Sequence, residues 1–229
     1  ALASKRSISV IKRKRGFFRA VTLYDIAVDA RDRTEEHPEQ ALVSLIFAFN
    51  ALEAFINETV TCCKVTMGGR FAEHEKTFFS VMNELQKNKG STQNKFELGK
   101  LILSGSGWER DKAPYQDFVL LLKVRNELVH RKSEYHEDTL TKGAGFPERT
   151  IKDHPKFFKD LESRKLCDTS AVDGSWIDLI QTPAFSAWCC DTALSMTSEF
   201  LTSIQDVPDS KLKGRMQEIL DFTQPEATS

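Results

Sequence analysis

Arg125, Asn126 and His130 are the residues whose types and spacing could do chemistry together. An arginine holds a planar charge that it cannot shed, which suits a phosphate or a carboxylate. A histidine titrates near neutrality, so its imidazole can take or give a proton there. All three lie in Phe118-Val-Leu-Leu-Leu-Lys-Val-Arg-Asn-Glu-Leu-Val-His-Arg131. Its apolar residues Phe118, Leu121, Leu122, Leu128 and Val129 recur at helical spacing and predict one buried face. At about 100° per residue, Arg125 falls inside that face, roughly 20° from Phe118. A buried guanidinium needs a partner. Asn126 and His130, four apart, share one flank of the helix. His130 stands about 7.5 Å along the axis from Arg125 and roughly 140° around it. One helix cannot easily aim both groups at a single small ligand, whereas two copies packed about a two-fold axis could.

The stretch Glu53 to Asn57 bears on that requirement. Residues 39–66 contain no Gly or Pro and predict a long helix with Leu45, Phe49, Leu52, Phe55, Ile56 and Val60 on its core face. Glu53 and Asn57 make a polar i,i+4 pair within it. Two readings stay open: a solvated or interhelical pair, or Glu53 as the carboxylate that Arg125 requires.

The other elements follow from periodicity and punctuation. A first amphipathic helix is expected between Gly16 and about Arg33, with Phe17, Val21, Tyr24, Ile26 and Val28 as its apolar residues. Pro38 opens the long helix, and Gly68-Gly69 closes it. A third helix is expected from Phe71 to about Asn88, with Phe78, Phe79, Met82 and Leu85 inward. Ser91 or Thr92 would cap a fourth, running through Leu103. Ser104-Gly-Ser-Gly107 is a link, lacking the Gly-Lys-Ser/Thr ending of a phosphate loop. The motif helix follows from near Pro114 to about Lys132. Residues 133–182 carry few periodic segments and read as an insertion, with short helices near Phe157–Leu161 and Trp176–Ile180. Pro183 opens a helix to about Ile204, and Ser210–Phe222 a last short one. The expected fold is all-α, five or more helices around one core. Its expected domains are a basic arm over 1–15, a helical domain over 16–206 with the insertion at about 133–182, and a C-terminal helix and tail over 207–229.

Net charge is −1, so no global field advertises a polyanionic partner. The first 19 residues are an exception, with Lys5, Arg6, Lys12, Arg13, Lys14, Arg15 and Arg19 and no acid. That run reads equally as a nucleic-acid arm and as a solvated helix end. The five cysteines, two pairs of them adjacent, lack zinc-knuckle or redox spacing and are expected to be reduced and mostly buried. No apolar run of transmembrane length and no secretory h-region is read, so a cytoplasmic chain is expected. Ala1-Leu-Ala is not a natural start, and a trimmed chain or an added remnant is expected. His37, His74 and His154 have no partner at ligand or triad spacing and are assigned structural or surface roles, as is His136.

Arg125-Asn126-x-x-x-His130 resembles the Arg-x4-6-His motif of the HEPN superfamily, the higher eukaryotes and prokaryotes nucleotide-binding domains. The flanking Leu-Leu-Lys-Val-Arg-Asn-Glu-Leu-Val-His-Arg and the upstream Ala-Leu-Glu-Ala-Phe-Ile-Asn (51–57) are similar to those proteins too. The likeness spans roughly 17–204, and the six-residue core is its specific part. It implies an up-and-down bundle that dimerises through the motif helices. It further implies a metal-independent endoribonuclease of a toxin–antitoxin or phage-defence system, with no cofactor. Arg125 would then neutralise the scissile phosphate, Asn126 would orient it or the helix pair, and His130 would transfer protons. Lys123, Arg131 and Lys132 could hold RNA backbone, or form a solvated face. The implied partners are a second copy, RNA, and an antitoxin or defence-complex protein. The alternative is a non-catalytic dimerisation or nucleotide-binding module. Lys132, not tyrosine, stands two after His130, so the His-x-Tyr modification site of some members is not reproduced.

Overall fold

Twenty-seven residues from Gln40 to Thr66 form the longest helix, α2, because nothing in them interrupts the helical ladder. All six residues expected on its core face are buried. A computed structural model of the chain describes residues 16–66, 71–130, 154–169 and 175–223. By length and composition α2 would also pass for a membrane span, which corrects the expectation that no run reaches that length. In this fold it is the core helix of a bundle. Its buried side meets α1 (Ala20–Asp32), α8 (Pro183–Ser203) and α9 (Leu212–Leu220).

The first helix packs through small residues together with Tyr24, with Val21 and Val28 half-buried against the core as expected. Ala20, Ala27 and Ala30 are buried with Tyr24, while Phe17 is 79% exposed and Ile26 lies at the surface. Small side chains let the two backbones approach, and the Ser44 hydroxyl donates to the Ala27 carbonyl at 3.0 Å across the gap. The start of α1 is capped from α2. The Glu58 carboxylate accepts from the Arg19 and Ala20 backbone N–H groups at 2.6 and 3.2 Å.

Helices α3 (Glu73–Lys87) and α4 (Thr92–Ser104) form a hairpin. Ser91 accepts from the Asn94 N–H at 3.1 Å, so it and not Thr92 is the cap. Gly99 lets α4 approach its neighbours, since a Cβ there would stand 3.1 Å from the Phe200 ring and 3.3 Å from that of Phe78. The motif helix is α5 (Tyr115–His130).

The described part of the insertion folds onto the bundle through α6 (Phe158–Ser163) and α7 (Trp176–Leu179). Phe158, Leu161 and Trp176 are buried, and Arg164 pairs with Asp117 at the start of α5. Thr182 caps α8, accepting from the Phe185 N–H at 3.1 Å while donating to the Leu166 carbonyl. The last helix belongs to the same core. Phe222, just after it, stacks on Tyr24 and meets Phe55 edge-on. The described residues thus form an all-α fold of nine helices without a strand. The basic arm, Gly68-Gly69, Arg131, Lys132, His136 and the C-terminal tail from 224 on lie outside the described residues.

Candidate active site

Helix α5 runs antiparallel to α2. Phe118 packs against Phe96, which stacks on Phe55, while one turn from its end the Arg125 guanidinium lies 4.7 Å over the Phe49 ring. The first two turns of α5 are held on several sides: Tyr115, Phe118, Leu120, Leu121 and Val124 are buried. Beyond Val124 the helix emerges. Arg125 and Leu128 are half-buried, Asn126 and His130 are exposed, and Val129 is 49% exposed. The expected buried stripe therefore stops at Val124. Periodicity sets the phase of the face but not how far neighbouring helices accompany it.

That exposure removes the need for a buried carboxylate. Arg125 makes no ion pair with Glu53; it stacks on Phe49 and donates from Nη1 to Asn126 Oδ1 at 3.0 Å. Glu53 instead faces α4, where its charge acts on Lys95. Lys95 is buried and donates to Asn57 at 2.8 Å, so Glu53 and Asn57 are the interhelical pair of the two readings left open. Burial pulls the Lys95 ammonium below its usual range, against the Glu53 charge that raises it. Nothing in the sequence singles out Lys95, since a lysine on an amphipathic helix ordinarily marks the solvent side.

The structure brings Arg125 and Asn126 into contact and leaves His130 without a hydrogen bond or ion pair among the described residues. Asn126, Val129 and His130 lie on the open side of α5, with Lys123 one turn back and also exposed. Among the described residues no carboxylate pairs with Arg125, and such a permanent cation keeps its charge available to an anion. Where α5 runs toward the start of α2, Val43 and Ile46 are only half-buried. Comparison with family models, with curated proteins and with solved structures finds no match. The likeness to HEPN proteins therefore rests on the motif residues alone.

The other histidines lie apart: His37 is 3.8 Å from Glu39 at the surface, and His154 stacks on Phe158. No group of three or more His, Cys, Asp or Glu side chains fit to hold a metal occurs among the described residues. Burial pushes Cys62 up to about 11 and Cys190 up to about 12, so neither is a ready thiolate.

A second feature adjoins the motif helix. A cleft of about 510 Å³ opens between α4, α5 and α6, with Glu97, Arg110, Tyr115 and Lys123 on its walls. Lys123 and Asp160 also line an adjoining groove of about 450 Å³ that reaches Glu127 and Lys156. Sequence reasoning passed over this cleft, although Gln93 and Glu97, four apart on one helix, were a legible polar pair.

Proposed function

We propose that the chain is a HEPN-type, metal-independent endoribonuclease that works as a homodimer through α5. The observation that carries this reading is the emergence of α5 beyond Val124. It leaves Asn126 and His130 exposed and Arg125 half-buried beside half-exposed Val129, with no carboxylate paired to Arg125 among the described residues. Val129 and its half-buried neighbour Leu122 would meet the partner helix, and the two motif sets would face one cleft.

In the proposed reaction the ribose 2′-oxygen attacks the adjacent phosphorus as its proton leaves to an imidazole. The bond from phosphorus to the 5′-oxygen breaks, and that oxygen takes up a proton. The products are a 2′,3′-cyclic phosphate and a 5′-hydroxyl. His130 is the proton carrier, and Arg125, steadied by Phe49 and Asn126, balances charge on the phosphoryl oxygens. Lys123 contributes sequence-independent attraction to the backbone. Arg131 and Lys132 are assigned the same part.

The test is incubation of the purified protein with single-stranded RNA in EDTA. Cleavage with cyclic-phosphate ends is expected from the unmutated chain. His130→Ala should lose it by about a hundredfold or more while keeping the oligomeric state. An unmutated protein that leaves RNA intact overturns the nuclease and favours a non-catalytic HEPN module.

A further inference from the structure

We infer that the cleft between α4, α5 and α6 is a base-reading subsite that takes a guanine of single-stranded RNA. The inference rests on the RNA-directed reading above and adds to it a preference and a place.

The cleft's volume, about 510 Å³, is enough for a nucleoside. On the Glu97 side of the cleft the donors are spent internally. The Gln93 amide nitrogen donates to Glu97 Oε1 at 3.2 Å and to the Tyr115 hydroxyl at 3.0 Å. Tyr115 in turn donates to Glu97 Oε1. Burial and the neighbouring Glu97 push the Tyr115 phenol up, which keeps it a donor. What the Gln93–Glu97–Tyr115 cluster leaves for a ligand is Glu97 Oε2 and Gln93 Oε1, both acceptors, while Gln116, Arg110 and Lys123 bring donors to the rest of the cleft.

Two acceptors select a base with two neighbouring donors. Guanine offers N1–H and the 2-amino group side by side, a match for the two acceptors Glu97 Oε2 and Gln93 Oε1, and leaves O6 for a donor of the wall. Cytosine and adenine bring an amino donor beside a ring acceptor, and uracil one N–H between two carbonyls. A phosphate on the Glu97 side would be repelled by that carboxylate, and Arg164 is already committed to Asp117, whereas Lys123 stands at the other end of the cleft lining. The occupant of the Glu97 side is therefore a base edge, with the backbone left to Lys123. Arg110 stands 3.7 Å from Glu97 with its side chain 79% exposed, free to lie over the base plane. The strand then leads past Lys123 into the adjoining groove toward His130. Tyr115 and His130 are about 22 Å apart along the axis, so the base read lies several nucleotides from the bond cut.

Guanosine and uridine 5′-monophosphates, titrated separately into the full chain, test this directly. Guanosine monophosphate should bind at least about tenfold tighter, as a paired acceptor contact to one base implies. Glu97→Gln should erase most of that difference, and His130→Ala should keep it. Should Glu97→Gln lose its cooperative melt, Gln93→Ala removes the other acceptor and is expected to reduce the discrimination. Equal binding of the two nucleotides, or unchanged discrimination in a folded Glu97→Gln or Gln93→Ala protein, overturns the subsite even if RNA is cut. Guanine-selective binding without RNA cleavage keeps the subsite and sinks the nuclease.

Discussion

At the scale of single residues, what distinguishes Arg125 is the surface it lies on. A guanidinium stacked over Phe49 and bonded to Asn126 is oriented before any ligand arrives, so less ordering remains to be done on binding. Arg125→Lys keeps the charge but loses the plane and the fork. Its RNA cleavage is expected to fall about a hundredfold, as for loss of one preorganised donor. The melting free energy should change by only about 0.5–1 kcal/mol, the worth of an exposed cation–π contact. A lysine variant that cuts at the full rate would remove the planar fork from the mechanism. The cysteines make the opposite case, in which position silences chemistry. Cys62, Cys63, Cys189 and Cys190 are buried, and only Cys167 is half-exposed. Desolvation raises every one of these thiols, so little thiolate is present at about pH 8. A native sample treated with a thiol-specific dye at that pH should label Cys167 first, and all five only after denaturant. Rapid native labelling of Cys62 or Cys190 would show that the bundle opens around them.

At the scale of elements, helices hold one another by their ends as well as their faces. Glu58 of α2 caps α1 from 39 positions away, satisfying two N–H groups that α1 cannot satisfy itself. Removing it in Glu58→Ala should cost about 1–2 kcal/mol, at the upper range of a lost cap. Burial raises the Glu58 carboxyl above its ordinary value, more than the two N–H donors and Arg19 lower it. The folded state then holds this proton at pH values where the unfolded chain has released it. Its contribution is full below the unfolded value near 4.5 and declines as pH rises through the folded one. Glu58→Gln stays neutral throughout and escapes that decline. In urea melts run from about pH 4 to neutrality, the glutamine variant should therefore gain stability relative to the unmutated protein as pH rises. Parallel curves would refute the shift. Such a long-range cap was not legible, because Glu58 carries no local signal of what it reaches. The helices themselves were. Uninterrupted apolar spacing locates α2 and α8 nearly to the residue, and Ser91 announces α4. The failures lie at helix ends. Phe17 lies before α1 begins and so has no helical phase, while Val129 is in phase with buried residues but lies past the buried part of α5, and phase says nothing of how far burial extends. Pairing Glu53 with Arg125 follows only if the guanidinium is buried; it is not, and Lys95 from α4 takes that place instead.

At the scale of the whole molecule, the decisive question is whether one protomer holds a complete site. Along a straight helix, Arg125 and His130 are about 7.5 Å and roughly 140° apart, too divergent for one phosphate. A two-fold axis through α5 resolves this by setting Arg125 of one copy opposite His130 of the other, twice over. The arrangement makes a prediction that no single-protomer site can share. Arg125→Ala and His130→Ala proteins are each expected to be inactive. Unfolded together and refolded as a mixture, half of their dimers are mixed, and each mixed dimer keeps one intact pair out of two. About a quarter of the unmutated activity should therefore return, from symmetry alone. Were Arg125 and His130 of the same chain to act together, every protomer in the mixture would lack one of them, and nothing would return. A site needing both arginines and both histidines would also stay silent. The control is Val129→Glu, which places a charge on the exposed apolar patch of α5. It should prevent association in sedimentation and abolish recovery, while leaving the buried core beneath Val124 intact.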